Sequence, residues 1–210
     1  DTFSVGVLYE EPFGAAAGYS GSNNFIDQNA TSPRNGEATN VDVRTEKITG
    51  IIGAKLGENK NCQIYGGPVA QRVKADVKLR GTAYEAANGY TTHISADQDY
   101  GWLAGVAYSK PEIALQAALT YRSEIEHNTQ ASENYPFVNR LPSALGLSSN
   151  RVDTIEITTP KSVNFDFQTG INPTMLATAK VRWVPWSDFA LVPSLYIDVG
   201  SLNPAYGPDG

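Results

Sequence analysis

Residues Ala114–His127, "ALQAALTYRSEIEH", decide the fold. The first half is apolar at nearly every position. The second half sets Arg122, Glu124 and Glu126 at every second residue, with Tyr121, Ser123 and Ile125 between them. A period of two is the signature of a β-strand, whose successive side chains point to opposite faces. One face of this strand is greasy and the other is charged.

The same period recurs outward in both directions. Phe3, Val5, Val7 and Tyr9 alternate with Ser4, Gly6, Leu8 and Glu10, until Pro12 and Gly14 break the strand. A second strand is predicted over about Val41–Leu56. A third covers about Gln63–Arg80, with Val69, Val73 and Val77 on one face and Arg72, Lys74, Asp76, Lys78 and Arg80 on the other. A fourth runs over about Tyr100–Tyr108. A sixth covers about Val152–Gln168, setting Ile155, Ile157, Val163, Phe165 and Phe167 on one face, with Pro160 as a kink. A seventh covers about Met175–Trp186.

The connections alternate in length. Polar stretches Gly18–Thr39, Gly81–Asp99 and Asn128–Asn150 read as long loops, the second with a helical turn near Ala83–Ala87. Gly57–Asn61, "SKPE" and Thr169–Pro173 read as short turns. Antiparallel strands joined in this way put every long loop at one end. Outer-membrane barrels have that asymmetry, with short periplasmic turns and long outer loops. The strands also reach or exceed the ~9–11 residues that cross hydrocarbon. Tyr9, Trp102, Tyr108, Tyr121, Trp183 and Trp186 are candidates for interfacial aromatic girdles. The fold expected is all-β, an antiparallel transmembrane barrel. Alternation alone also fits a β-sandwich with one wet face per sheet.

Bulk composition narrows the classes. The 210 residues carry a net charge of -6, which argues against a nucleic-acid partner. No apolar run nears the ~20 residues of a spanning helix. The single cysteine, Cys62, cannot form an internal disulfide, and no Cys/His cluster has zinc spacing, so neither metal nor cofactor is implied. There is no G-x-S-x-G elbow; "GYSGS" at Gly18–Ser22 lacks its spacing, and no other catalytic constellation is present. Both ends read as cut from a longer chain.

Several segments resemble the long-chain fatty acid outer-membrane transporter family: "FSVGVLYEEPFGA" (Phe3–Ala15), "IYGGPVAQRVKADVKLRG" (Ile64–Gly81), "GWLAGVAYSKPEIAL" (Gly101–Leu115), "ALTYRSEIEH" (Ala118–His127) and "KVRWVPWSDF" (Lys180–Phe189). They follow one another in the family's order. The resemblance implies a fourteen-stranded barrel plugged by an N-terminal hatch, of which about seven strands are here. "NPA" at Asn203–Ala205 reads as a coincidence with the hatch motif, and the tail after Phe189 departs from the pattern.

Passive uptake of a long-chain fatty acid or a related hydrocarbon is the function implied, by a monomer in the Gram-negative outer membrane among lipid and lipopolysaccharide. A fatty acid needs an apolar groove for its tail and a cation for its carboxylate. Arg72, Lys74, Lys78, Arg80 and Arg122 are the lumen cations expected at the head group, with Lys180 and Arg182 beside them. A structural ion-pair ladder with Glu124, Glu126, Glu156 and Asp166 is the competing role. Apolar residues in outer loops need a reason. Tyr84, Tyr90, Ile94, Phe137, Leu141, Leu145 and Leu147 are expected to form a first-contact groove, or else to pack loop on loop. The break at Pro12, Phe13 and Gly14 is expected to open the wall sideways, or else to be an ordinary strand end.

Overall fold

The structure is a computed structural model that describes residues 2–12, 14–189 and 193–202. Its strands are β1 (Phe3–Glu10), β2 (Gly14–Gly18), β3 (Asn40–Leu56), β4 (Cys62–Lys78), β5 (Thr91–Lys110), β6 (Leu115–Arg122), β7 (Ile125–Asn134), β8 (Asn150–Thr159), β9 (Ser162–Asn172) and β10 (Met175–Trp183). One helix, α1 (Ser194–Gly200), follows. All strands join one antiparallel sheet, ordered β1-β3-β4-β5-β6-β9-β10, with β2 on β3, and β7 between β5 and β8.

The ten strands fill seven positions, because three positions are broken in the middle. β1 and β2 are one strand interrupted at Pro12, since both pair with β3. β6 runs into β7, and β8 into β9, with the two breaks side by side: Arg122 faces Ser162 below them and Ile125 faces Thr159 above. The partial barrel has its short connections at one end, at 57–61, 111–114 and 173–174. Its long connections, 19–39, 79–90 and 135–149, lie at the other. No helix among the described residues is long and apolar enough to cross a membrane.

Register assigns the faces. Opposed residues in an antiparallel pair share a face. Val5 opposes Ile52, and Ile64 opposes both Ala54 and Val106. Val106 opposes Leu119, Leu119 opposes Phe165, and Phe165 opposes Val181. This face is apolar and exposed along the whole sheet, with Val5, Ile52 and Val181 at 80%, 63% and 62% exposure. Ile48–Leu56, Cys62–Ala70 and Tyr100–Tyr108 each span nine residues of it, in step across three strands. That matches the hydrocarbon crossing length of ~9–11 residues. Tyr9 and Tyr100 lie in one row at its loop-side margin, with Trp102, Tyr121 and Trp183 near them on the same face, and Tyr108 lies at the other margin. The opposite face is polar below, where the Tyr65 hydroxyl meets Thr120 at 2.6 Å and Lys180 meets Asp166 at 3.7 Å. Apolar outside and polar inside is the arrangement a barrel wall requires.

Several expected boundaries move. β5 starts at Thr91, so the second loop is 79–90, with a 3-10 turn at Thr82–Ala87. A one-residue irregularity opposite Val73/Ala75 breaks the period of two there and hid the upper part of β5. β7 continues to Asn134, because Gln130 and Ser132 face solvent while Thr129 and Ala131 are buried. The expected sixth strand is two strands with opposite facing. Pro160 has no N–H for a ladder, and residues 160–161 shift the phase. Ile155 and Ile157 therefore point inward, while Val163, Phe165 and Phe167 point outward. The break at 123–124 does the same to the neighbouring strand. Arg122 points inward, and Glu124 and Glu126 do not share its face. The last strand ends at Trp183 rather than Trp186, where a 3-10 turn follows. Cys62 is exposed, on the outer face.

Candidate functional site

Above the paired breaks, the β7–β8 hairpin leans across the interior. Its inward row buries Ile125, His127, Thr129, Ala131, Ile155 and Ile157. Ile155 and Ile157 meet Ala75 of β4, Ile94 of β5 and Val43 of β3 from the opposite wall. Ile125 meets Val69 and Leu103 just below. Gly101 makes this approach possible, since a Cβ there would fall 2.7 Å from the Ile125 side chain. Along the lean, residues 95–102 of β5 and 123–130 opposite have no ladder pairing with one another beyond the Ser123 N–H donating to the Trp102 carbonyl at 2.9 Å. Side chains bridge that stretch instead. The Trp102 N–H donates to Ser123 Oγ at 3.0 Å, and the Thr129 hydroxyl donates to the Ser95 carbonyl at 2.6 Å. The buried His127 Nδ1 lies 3.2 Å from Asp97.

The two walls do not close completely. A cavity of about 420 Å³ remains between them, lined by Val43, Thr45, Val73, Ala75, Ile94, Ile157 and Thr159, bordered by Lys74 and Pro160, and reached by Trp186 and Phe189 beyond β10. Pro12, Gly14 and Ala15 line its flank. The strand break thus borders the cavity. Glu10 pairs with Lys47 and Gly14 with Arg44, four residues on along strand one against three along β3. This is a one-residue bulge at a proline. Phe13 lies outside the described residues.

Directly below the cavity the interior is charged. Lys47 is the next inward residue after Thr45 on β3, and it is buried. It lies within electrostatic reach of Glu10, Arg122 and Arg182. Arg122 Nη1 donates to Glu10 Oε1 at 3.0 Å across the interior. Three cations and one carboxylate therefore gather around Lys47, one inward step beyond the cavity-lining Thr45. An amphipathic anion fits that order of surfaces, tail up and head down.

The expected site residues divide. Arg122 lies on the inner face, as the alternation required. Arg72, Lys74 and Lys78 do not: they extend the exposed outer face of β4, in phase with Ile64 and Ala70. Inner and outer rows are equally regular on this strand, and only register against the apolar belt tells them apart. Arg80 belongs to neither face. It is 3% exposed and clamps the loops, donating to Glu37 at 2.7 Å, the Tyr90 carbonyl at 2.8 Å, the Leu79 carbonyl at 3.0 Å and Thr91 at 3.0 Å.

Tyr84, Tyr90, Phe137 and Leu147 do come together, but as a core rather than an open groove. α1 lays Leu195 and Val199 onto them, with Tyr135 and Val138. Buried Glu133 fixes the helix, accepting from the Leu195 N–H at 2.9 Å, the Tyr196 N–H at 3.0 Å and the Tyr90 hydroxyl at 2.8 Å. Ile94 lies apart, in the cavity wall; Leu145 is exposed and Leu141 is outside that core. The expectation missed Lys47, whose inward phase follows from the apolar row Ile48–Ile52–Leu56 beside it. It also missed the facing walls, which depend on breaks that no period reveals.

No family model matches the chain, and no curated protein matches it in sequence. Solved structures do. A Pseudomonas aeruginosa FadL homologue superposes with a TM-score of 0.60 at 15% identity, over 89% of this chain and 46% of that one. The Ralstonia pickettii toluene transporter TbuX gives 0.53 at 13% identity, over 88% and 51%. The Pseudomonas putida toluene transporter TodX gives 0.52 at 10% identity, over 89% and 51%. The chain thus spans about half the length of these structures. Its fold is that of part of a FadL-type barrel.

Proposed function

We propose that this chain is part of a passive channel in the Gram-negative outer membrane that takes up amphipathic carboxylates of the long-chain fatty acid type. One observation carries the choice of substrate: inward-facing Lys47, within electrostatic reach of Arg122 and Arg182, follows the cavity-lining Thr45 on β3. A neutral hydrocarbon such as toluene uses the chamber but has no need of the cations. A carboxylate uses both. The bulge at Pro12 supports a sideways exit into the lipid, since it borders the cavity and interrupts the wall there. No chemical step is required, and the apolar outer belt is covered by membrane lipid around a monomer.

The test compares palmitate with its methyl ester and with toluene, in the intact protein and in Arg122→Gln. A charge-assisted contact is worth about 1.5–3 kcal/mol, so the acid is expected to bind roughly 10- to 100-fold more tightly than the ester. The substitution is expected to erase most of that preference. Equal binding of acid, ester and toluene would assign the channel to neutral hydrocarbons.

A further inference from the structure

The outer face of β4 changes character abruptly. From Cys62 to Ala70 it is the apolar belt; from the next outward residue it reads Arg72, Lys74, Asp76 and Lys78. The change comes one step beyond the row that holds Tyr9 and Tyr100, on the long-loop side. A lipid-exposed face that turns from aliphatic to aromatic to charged is passing from hydrocarbon into the head groups. Long loops mark the outer side, so these are head groups of the outer leaflet.

The acids on this face are largely committed elsewhere. Asp76 is held by His93 at 2.6 Å, and Asp42 by Arg44 at 2.9 Å. Lys74 stands directly opposite Arg44, two like charges that disfavour one another across a ladder. Glu46 stands opposite Arg72 but makes no ion pair with it within 4.0 Å among the described residues, and Arg72, Lys74 and Lys78 have none at all there. Three exposed cations thus climb one strand, over roughly 20 Å at about 3.4 Å per residue.

We infer that Arg72, Lys74 and Lys78 form a docking strip for the phosphorylated glycolipid of the outer leaflet, with their side chains on its phosphoryl groups. Arg44 flanks the strip at Lys74. The inference rests on the outer-membrane placement proposed above and not on the identity of the transported molecule.

The experiment uses the intact protein, extracted from the outer membrane in detergent. Bisphosphorylated lipid A, dephosphorylated lipid A and inorganic phosphate are the probes, and retention is read by native mass spectrometry. Wild type is expected to retain the bisphosphorylated lipid and to prefer it to the dephosphorylated form. Basic residues near an anionic membrane surface each contribute a factor of about five, so R72Q/K74Q/K78Q is expected to bind about 100-fold more weakly. K60Q/K110Q, at the short-turn end, is expected to bind as wild type. K74Q alone provides the same readout, at about fivefold, should the triple variant fail to assemble. Retention unchanged in the triple variant or in K74Q, or equal retention of the dephosphorylated lipid, overturns the inference. Displacement by millimolar inorganic phosphate alone reassigns the strip to free phosphate. Palmitate binding is measured on the same samples. Its loss in wild type refutes the substrate proposed above, while lipid A retention stands or falls separately.

Discussion

Replacing Ala75 with phenylalanine puts a ring into the chamber between the two walls. Ala75 is 5% exposed, stands beside Ile94 in one wall of the cavity and packs against Ile155 and Ile157 of the facing wall. The cavity holds about 420 Å³, so the ring has somewhere to go, and it takes the place of a comparable length of ligand tail. The six added carbons displace about six methylenes, each worth about 0.8 kcal/mol on burial, which sums to about 5 kcal/mol. Palmitate binding is then expected to fall by about three and a half orders of magnitude. Ala75→Val, with two added carbons, is expected to cost about 1.6 kcal/mol, or roughly 15-fold. Octanoate, shorter than the space left over, is expected to lose little in either variant. The assay is displacement of a fluorescent fatty acid in detergent. Heat-modifiable gel migration serves as the control for folding, because overpacking costs a core about 1–3 kcal/mol. A folded Ala75→Phe protein that binds palmitate like wild type would refute the placement of the tail between β4 and β8.

Two further outcomes test other parts of the structure. Glu10 holds Arg122 at 3.0 Å and so competes with an incoming carboxylate; Glu10→Gln is expected to tighten palmitate binding several-fold without changing binding of the methyl ester, measured by the same displacement. Burial and the hydrogen bond to Glu133 push the Tyr90 phenol above its ordinary value of 10.0. A raised folded value contributes stability that is complete below the unfolded value and is lost as pH rises beyond it, so the long-loop end is expected to loosen above about pH 10. Hydrogen exchange across Tyr135–Leu147 reads the loosening, and Tyr90→Phe is expected to flatten that dependence.

The barrel wall was legible wherever one period ran unbroken. Val5, Ile52, Ile64, Val106, Leu119, Phe165 and Val181 announce a single greasy surface, and alternating loop lengths announce its orientation. The interior was not legible beyond Arg122, for two reasons. β4 alternates perfectly between Val69, Val73 and Val77 and the cations between them, and nothing within that strand says which row meets lipid. Only pairing with β3, whose Ile48 and Ile52 share a row with Ala70 and Gly66, settles it. At 123–124 and 160–161 the phase slips on two neighbouring strands at once. A count of alternate residues carried across those points assigns Glu124, Ile155 and Ile157 to the wrong side. The loop core was half legible, because Tyr84, Tyr90, Phe137 and Leu147 do associate, while the helix that covers them carries only a short apolar pattern in a Pro-rich tail.

Because the two slips are aligned, the sheet carries a crease that runs across adjacent strands like the score line in a folded card. Below the crease, side chains answer to the bilayer on one side and to water on the other. Above it, the same two strands answer to the facing wall of β3, β4 and β5. Substitutions at Ile155 or Ile157 can therefore reshape the chamber for a different cargo without altering a single residue that touches lipid, and Phe165 or Phe167 can adapt to a thicker or thinner membrane without disturbing the cargo.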